Sequence, residues 1–215
     1  MSATAAHRRH VAASRRTSSL ASHVAADLQR HVTVAGASPA LSSKHLLVVE
    51  TPDAWEAMVG TELGPGDWVT VDQTRVDAFA DCTGDHQWIH KAGAKTAFGG
   101  PVVHGMLTVS LLPALLGSGV MPKHAWMGHE LNCGFNRVRF TAPVPVGSQL
   151  RASAKLVRVR RLGGDGSGRE QGRKVGLESV FAVTVHCRAA DEVRGGREEE
   201  GKTALVAEWV TRQLQ

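Results

Sequence analysis

An uncharged, mostly apolar segment near the middle of the chain limits what this sequence can fold into. It runs from Gly105 to Gly117, and its helical part is expected to extend to about Leu116. A helix built from such residues has no polar face for solvent and is expected to be buried on all sides. Pro113 should kink this helix or mark where it loosens, because proline lacks an amide hydrogen. The segment is shorter than the ~20 residues of a membrane span, so we predict a buried central helix and no membrane partner.

After this helix, apolar and polar side chains alternate, as they do in strands with one buried face. The alternating segments are 150–160, 181–186 and 205–210. The alternation changes phase at Val157, which indicates a β-bulge within a long strand. The stretches 163–176 and 191–202 are glycine-rich or charged. We expect both to be solvated hairpin connections between antiparallel strands.

Shorter signals precede the central helix. A short helix is expected near Asp53, whose carboxylate could cap it, and a brief strand is expected at Trp68–Val71. A second helix should begin after Asp72 or Thr74 and end at Gly84, since glycine commonly follows the last helical residue. Helices first, then several long antiparallel strands, predict an α+β fold in which the sheet wraps around the central helix.

The net charge of +5 comes mostly from the first fifty residues, which hold six Lys/Arg and two acidic residues. The remainder is nearly neutral and has no basic stripe interleaved with aromatic residues, so we expect no nucleic-acid partner. Up to Ala26 the chain has no acidic residue and is rich in arginine, alanine and serine, as transit peptides are. We predict a disordered extension at 1–50 that directs a folded domain, 51–215, to the mitochondrion. A plastid or cytoplasmic location is the alternative.

The three cysteines are far apart, odd in number and form no CxxC pair. This spacing argues against a disulfide framework or a zinc knuckle, and indicates a reducing compartment. Cys82 is expected to pack behind the loop that follows it rather than to react.

The chemistry-bearing residues lie on both sides of a loop. After Gly84 the chain carries a carboxylate at Asp85 and an imidazole at His90, in a loop of the kind that often holds functional groups. Fourteen residues later, His104 and Gly105 open the central helix, whose first N–H groups have no intrahelical acceptor. Such N–H groups can stabilise a carbonyl oxygen that gains negative charge.

Four segments resemble one family. Gly84–His90 reads Gly-Asp-His-Gln-Trp-Ile-His, and Phe98–Leu107 reads Phe-Gly-Gly-Pro-Val-Val-His-Gly-Met-Leu. These segments resemble motifs of the MaoC-like dehydratases, the (R)-specific enoyl thioester hydratases of the hot-dog fold. The first has the form of the nodulation-protein-N-like branch. The segments 132–140 and 142–148 resemble the strand and turn that follow, and the likeness covers roughly 52–160.

The resemblance implies a fold, a reaction and a site. It implies a hot-dog domain that hydrates trans-2-enoyl thioesters or dehydrates 3-hydroxyacyl thioesters carried on coenzyme A or acyl carrier protein. Asp85 and His90 would form the catalytic pair that holds one water molecule over the double bond. Gly105 would donate its N–H to the thioester oxygen, with His104 and Trp88 also at the substrate. The resemblance further implies a homodimer without metal or cofactor.

Other interpretations of the same residues remain open. Asp85 could simply form an Asx turn, and His90 could be an ordinary hydrogen-bonded loop histidine. His86 and His90 have the i, i+4 spacing of a metal-ligand pair, but Gly84 interrupts the helix that would place them on one face. At the level of function, the alternatives are a hot-dog acyl thioesterase and a non-catalytic subunit that binds acyl thioesters.

Overall fold

A computed structural model describes residues 47–117, 119–162, 176–190 and 201–215. The predicted extension lies outside the described residues except for its last four positions, and so do most of the two predicted hairpin connections. The strands are β1 (Val48–Val49), β2 (Glu62–Leu63), β3 (Val69–Thr70), β4 (Lys123–His124), β5 (His129–Phe140), β6 (Gln149–Leu162), β7 (Gly176–Arg188) and β8 (Lys202–Leu214). The helices are α1 (Pro52–Ala57), α2 (Gln73–Thr83), α3 (Gly105–Ser110) and α4 (Leu112–Gly117), with a 3₁₀ turn at Trp88–His90.

The main sheet is antiparallel, with strand order β2-β6-β7-β8-β5 and with β3 also paired to β6. Strands β6, β7 and β8 carry buried residues at alternate positions over much of their length, and the apolar ones among them join the core cluster. The register between β6 and β7 shifts between Leu156 and Arg158, so the bulge predicted at Val157 is confirmed. The fold is α+β, as predicted.

The core lies between this sheet and the helices α3 and α4. Leu107, Leu112, Leu115 and Leu116 are at most 5% exposed and belong to one cluster with the inner residues of the sheet. Trp55 on α1 is fully buried in the same cluster. This packing holds the start of α3 against the sheet, and the candidate site lies at that point.

The prediction of one helix buried on all sides is wrong in two respects. The segment forms two short helices, α3 and α4, separated at Leu111. Pro113 lies in the first turn of α4, where its missing amide hydrogen costs no helical bond, so the break falls just before the proline. One side of the segment is exposed, with Met106 at 60% and Ser110 also facing outward.

The shorter elements differ from prediction mainly at their ends. Thr51, not Asp53, caps α1, because the Thr51 Oγ1 accepts a hydrogen bond from the amide of Ala54 at 3.1 Å. The strand predicted at Trp68–Val71 is only the two residues of β3. Val49 is 2% exposed in β1, so ordered structure begins before residue 51.

No helix among the described residues has the length and apolar character needed to cross a membrane.

Candidate active site

Helix α2 delivers the chain to the loop that carries the predicted catalytic residues. Its N-cap is Asp72, whose Oδ1 accepts from the amide of Arg75 at 2.9 Å, and it ends at Gly84 with φ of +75°. Both were predicted. A left-handed φ favours glycine over residues with a Cβ, so Gly84 turns the chain sharply into the loop.

His90 lies at the end of the 3₁₀ turn and is 8% exposed. Its Nδ1 is 2.6 Å from the carbonyl oxygen of Val102. Because a carbonyl can only accept, Nδ1 carries the hydrogen of this bond. That assignment leaves Nε2 of His90 as the ring nitrogen with a lone pair, which is the form a general base requires.

His104 packs directly on His90. The two rings stack with centroids 3.6 Å apart and planes inclined by 23°. The ring of Phe79 contacts the His104 ring, with centroids 5.1 Å apart. His104 is 2% exposed, and its Nε2 lies 3.0 Å from the backbone carbonyl oxygen of Asp85. Its Nδ1 is buried and has no hydrogen-bond partner among the described residues.

Asp85 is half-buried, and its carboxylate meets the two imidazoles. An Asp85 oxygen, a His90 nitrogen and a His104 nitrogen all lie within 4.8 Å of one another. The Asp85 Oδ1 also accepts from the amide of Gln87 at 3.4 Å, a long bond of Asx-turn type. The loop therefore combines a turn-forming role for Asp85 with a spacing at which one water molecule could contact both Asp85 and His90.

A cavity of about 160 Å³ adjoins these groups, between α2 and the loop. Its volume is sufficient for several water molecules. Neither Gly105 nor Trp88 lines it. The lining residues are Val76, Asp77, Ala80, Asp81, Asp85, His86, Gln87, His90 and Lys91.

Gly105 and Trp88 lie at different parts of the site. Gly105 is the first residue of α3, so its N–H has no acceptor within the helix. A Cβ at Gly105 would lie 3.0 Å from the ring of Phe140, so a larger residue would require this exposed ring to shift. Trp88 is 62% exposed, and its contact with the substrate stays a prediction. Cys82, predicted to pack, is exposed.

The residues that could hold a metal by proximity are Asp85, His90 and His104, rather than the pair of His86 and His90 weighed from the sequence. Their ring geometry does not suit an ion. An imidazole ligand binds a metal ion in the plane of its own ring. Because the stacked rings of His90 and His104 are inclined by only 23°, their planes do not meet at a point close to a nitrogen of each ring. One nitrogen of each ring also lies within hydrogen-bond distance of a backbone carbonyl. That the site works without metal stays a prediction, which this ring geometry favours.

Sequence inspection missed Gln73, the first residue of α2. Its Nε2 donates to the carbonyl oxygen of His90 and to the Asp77 Oδ1, both at 2.8 Å. The only local signal nearby was the cap at Asp72. Nothing in the spacing of seventeen residues indicates that Gln73 reaches the end of the loop.

Comparison with known proteins identifies one family. A family model described as the MaoC like domain matches residues 55–174. The chain is 46% identical over 159 residues to 3-hydroxyacyl-thioester dehydratase Z of Mycobacterium tuberculosis, covering 73% of this chain and 91% of the relative. It is 40% identical over 157 residues to nodulation protein N of Rhizobium leguminosarum, covering 71% and 84%.

A solved structure shows the same fold. The monoamine oxidase regulatory protein of Archaeoglobus fulgidus superposes with a TM-score of 0.51 at 21% identity. The superposition covers 73% of this chain and 90% of that one. At this identity the likeness concerns the fold alone, and it agrees with the hot-dog architecture implied by the sequence motifs.

Proposed function

The chain belongs to the MaoC-like domain family and is a hydro-lyase of the hydratase and dehydratase type, and we propose that its substrates are acyl thioesters. In the proposed reaction it adds water to trans-2-enoyl thioesters with (R) stereochemistry, or removes water from the corresponding 3-hydroxyacyl thioesters. The thioester is carried on coenzyme A or acyl carrier protein.

The chemistry assigned to the site follows from its residue types. Asp85 and His90 hold one water molecule over the conjugated double bond. The water oxygen bonds to C3 while the pair accepts one of its protons, and C2 receives a proton from the pair, so that one water is added in total. The Gly105 N–H donates to the thioester oxygen as negative charge builds on it.

The observation that carries this proposal is the convergence of Asp85 and His90. Their side chains come within 4.8 Å of each other on one loop. His90 binds the Val102 carbonyl through Nδ1, which leaves the Nε2 lone pair available. Both residues lie in the segment matched by the MaoC like domain. A turn-forming aspartate and a structural histidine would need no such convergence.

We also propose that the protein acts as a homodimer. The strand β5 ends the main sheet, and most of its twelve residues are exposed. Among the described residues β5 pairs with β8 on one side, and an edge strand of this length is a template for pairing with another chain. Leu131 and Phe140 on β5, with Met106 on α3, add exposed apolar surface. A second copy pairing along β5 would cover these groups.

A third part of the proposal concerns location. The composition of the first fifty residues supports import into the mitochondrion, with the plastid and the cytoplasm as alternatives.

The decisive experiment is an assay of the purified full-length chain on trans-2-enoyl-CoAs from four to sixteen carbons. We expect loss of the enoyl absorbance and formation of the (R)-3-hydroxyacyl product, identified by chiral chromatography. Release of free acid and thiol would instead identify a thioesterase. Binding of the acyl-CoAs without turnover would identify a non-catalytic subunit, and either result would contradict the proposal.

A further inference from the structure

We propose that Gln73 and His104 are positioning residues that together hold the backbone of the catalytic loop. This inference rests on the proposed function for its kinetic consequence, because Asp85 and His90 are the residues being positioned. Asp85 and His90 each have their backbone carbonyl bound by a side-chain donor, one at the start of α2 and the other just before α3. The loop between α2 and α3 is therefore attached at both of its chemically active positions.

The first attachment is made by Gln73. Its amide nitrogen has two hydrogens, and the two acceptors at 2.8 Å, His90 O and Asp77 Oδ1, account for both. Asp77 lies one helical turn further along α2, so it fixes the orientation of the Gln73 amide toward the loop. The carbonyl of His90 is thereby held to the start of α2.

The second attachment is made by His104. Because the Asp85 carbonyl can only accept, the 3.0 Å contact requires that His104 Nε2 carry a hydrogen. The same ring stacks on His90, so one side chain contacts the backbone of one active residue and the ring of the other. Its burial at 2% keeps the ring in this orientation.

The proposal gives His104 a different role from the one that the resemblance implied. The sequence motif suggested a contact with substrate, but Nε2 is engaged with Asp85 and Nδ1 is buried. Neither ring nitrogen is presented to an incoming molecule. The ring acts through Asp85 and His90, which is the definition of a positioning residue.

Apart from these two attachments, the loop is bound to Val102, whose amide donates to the carbonyl of Ile89 at 3.0 Å and whose carbonyl accepts from His90 Nδ1 at 2.6 Å. Its other backbone bonds are local. The amides of His86 and His90 donate to carbonyls only two and three residues away, and the amide of Gln87 makes a 3.4 Å bond to Asp85. Bonds of this kind shape a turn but do not fix it relative to the helices. A displacement of about 1 Å at reacting groups can lower a rate by about 100-fold.

The kinetic test compares variants of the full-length chain with crotonyl-CoA as the probe. We expect Gln73→Ala and His104→Asn each to lower kcat by about 10–100-fold while KM changes by less than about threefold. His104→Gln should recover most of the activity, because its longer side chain can place an amide hydrogen near the position of Nε2. Asn is too short to reach Asp85. Thr74→Ala, an exposed neighbour of Gln73 on α2, should behave as wild type.

A second measurement does not depend on turnover. Hydrogen–deuterium exchange followed by mass spectrometry should show faster exchange across residues 84–92 in Gln73→Ala and His104→Asn, but not in Thr74→Ala or His104→Gln. Should His104→Asn fail to fold, Gln73→Ala, at the start of α2, carries the test.

The outcomes separate the two proposals. A wild-type chain that hydrates no enoyl thioester contradicts the proposed function, while the exchange data still decide whether the loop is held as described. A wild-type chain that is active, together with Gln73→Ala and His104→Asn variants that match it in kcat and in exchange, overturns the positioning role. Equal losses for His104→Asn and His104→Gln would also overturn it, because the donor to Asp85 would then not matter.

Discussion

At the scale of single residues, Asp85 and His90 owe their proximity to a short, sharply turned loop. Gly84 ends α2 in a left-handed conformation, and the 3₁₀ turn brings the chain back so that the two side chains converge. The Val102 carbonyl sets the tautomer of His90, which leaves Nε2 able to accept a proton. A carboxylate and an imidazole in this relation can share one water molecule.

Replacing either group should therefore abolish most of the activity. We predict that Asp85→Asn and His90→Ala each lower kcat for enoyl thioester hydration by roughly 100-fold or more, the range typical of general acid–base groups. Stopped-flow or steady-state kinetics on an enoyl-CoA would measure this. Circular dichroism should be unchanged, since both residues lie outside the long helices and strands. A well-folded variant that retains more than about a tenth of wild-type kcat would rule out its residue.

The stacked imidazoles lead to a prediction about metal. Prolonged dialysis against a strong chelator should leave hydration activity intact, because the ring planes of His90 and His104 do not converge on a common ion. Elemental analysis of the active protein should find no stoichiometric zinc. Loss of activity with recovery on adding zinc would contradict this prediction.

At the scale of elements, an ion cluster joins the three central strands. Glu178 on β7 is 9% exposed and accepts hydrogen bonds from Arg160 on β6 at 2.9 Å and from Arg212 on β8 at 2.9 and 3.1 Å. The hydrogen bond from Arg160, which has the larger effect, and the bonds from Arg212 lower the pKa of the Glu178 carboxyl from its ordinary value. This carboxylate links β6, β7 and β8 through charge as well as through backbone pairing.

The lowered pKa of Glu178 gives its contribution a definite pH dependence. A group with a depressed pKa in the folded state stabilises the fold above its unfolded pKa and loses that effect as pH falls through the folded pKa. We predict that Glu178→Gln lowers the free energy of unfolding by roughly 1 kcal/mol at neutral pH, with a smaller difference in acid. Urea titrations of both proteins from pH 7 down to pH 3 would measure this. A difference that grows on acidification would contradict the assignment.

At the scale of the whole molecule, the exposed edge of the sheet predicts association. Sedimentation velocity should give a mass of two chains for the wild type. Leu131→Arg, which places a charge on β5, should shift the protein toward one chain. Val59→Arg changes an equally exposed apolar residue away from β5 and serves as the matched control. A wild-type chain that sediments alone would contradict the homodimer.

The N-terminal extension, residues 1–50, leads to a prediction about stability, turnover and cellular location. Deletion of residues 1–43 should leave the melting temperature and turnover nearly unchanged, because this segment has little apolar periodicity with which to build a core. A fluorescent fusion of the full chain should reach the mitochondrion, and the truncated fusion should remain in the cytosol. Loss of turnover on truncation would show that the segment supports the domain, and a cytosolic full-length fusion would contradict the targeting role.

The features that the sequence determined by itself are local, because each depends on residues a few positions apart along the chain. Asp72 and Gly84 bound α2 because a cap and a left-handed turn act within a few positions, and the phase change at Val157 marks a bulge within one strand. The loop with Asp85 and His90 was recognisable for the same reason, as a short motif with a fixed spacing.

Only the tertiary structure decided which distant groups meet. Gln73 reaches the carbonyl of His90 across seventeen residues, and His104 reaches Asp85 across nineteen, because the fold brings the start of α2 and the residue before α3 to the loop. The uncharged central segment could not reveal that one of its sides is exposed at Met106. Such contacts depend on the sheet and helices coming together, and the spacing along one chain carries no record of that packing.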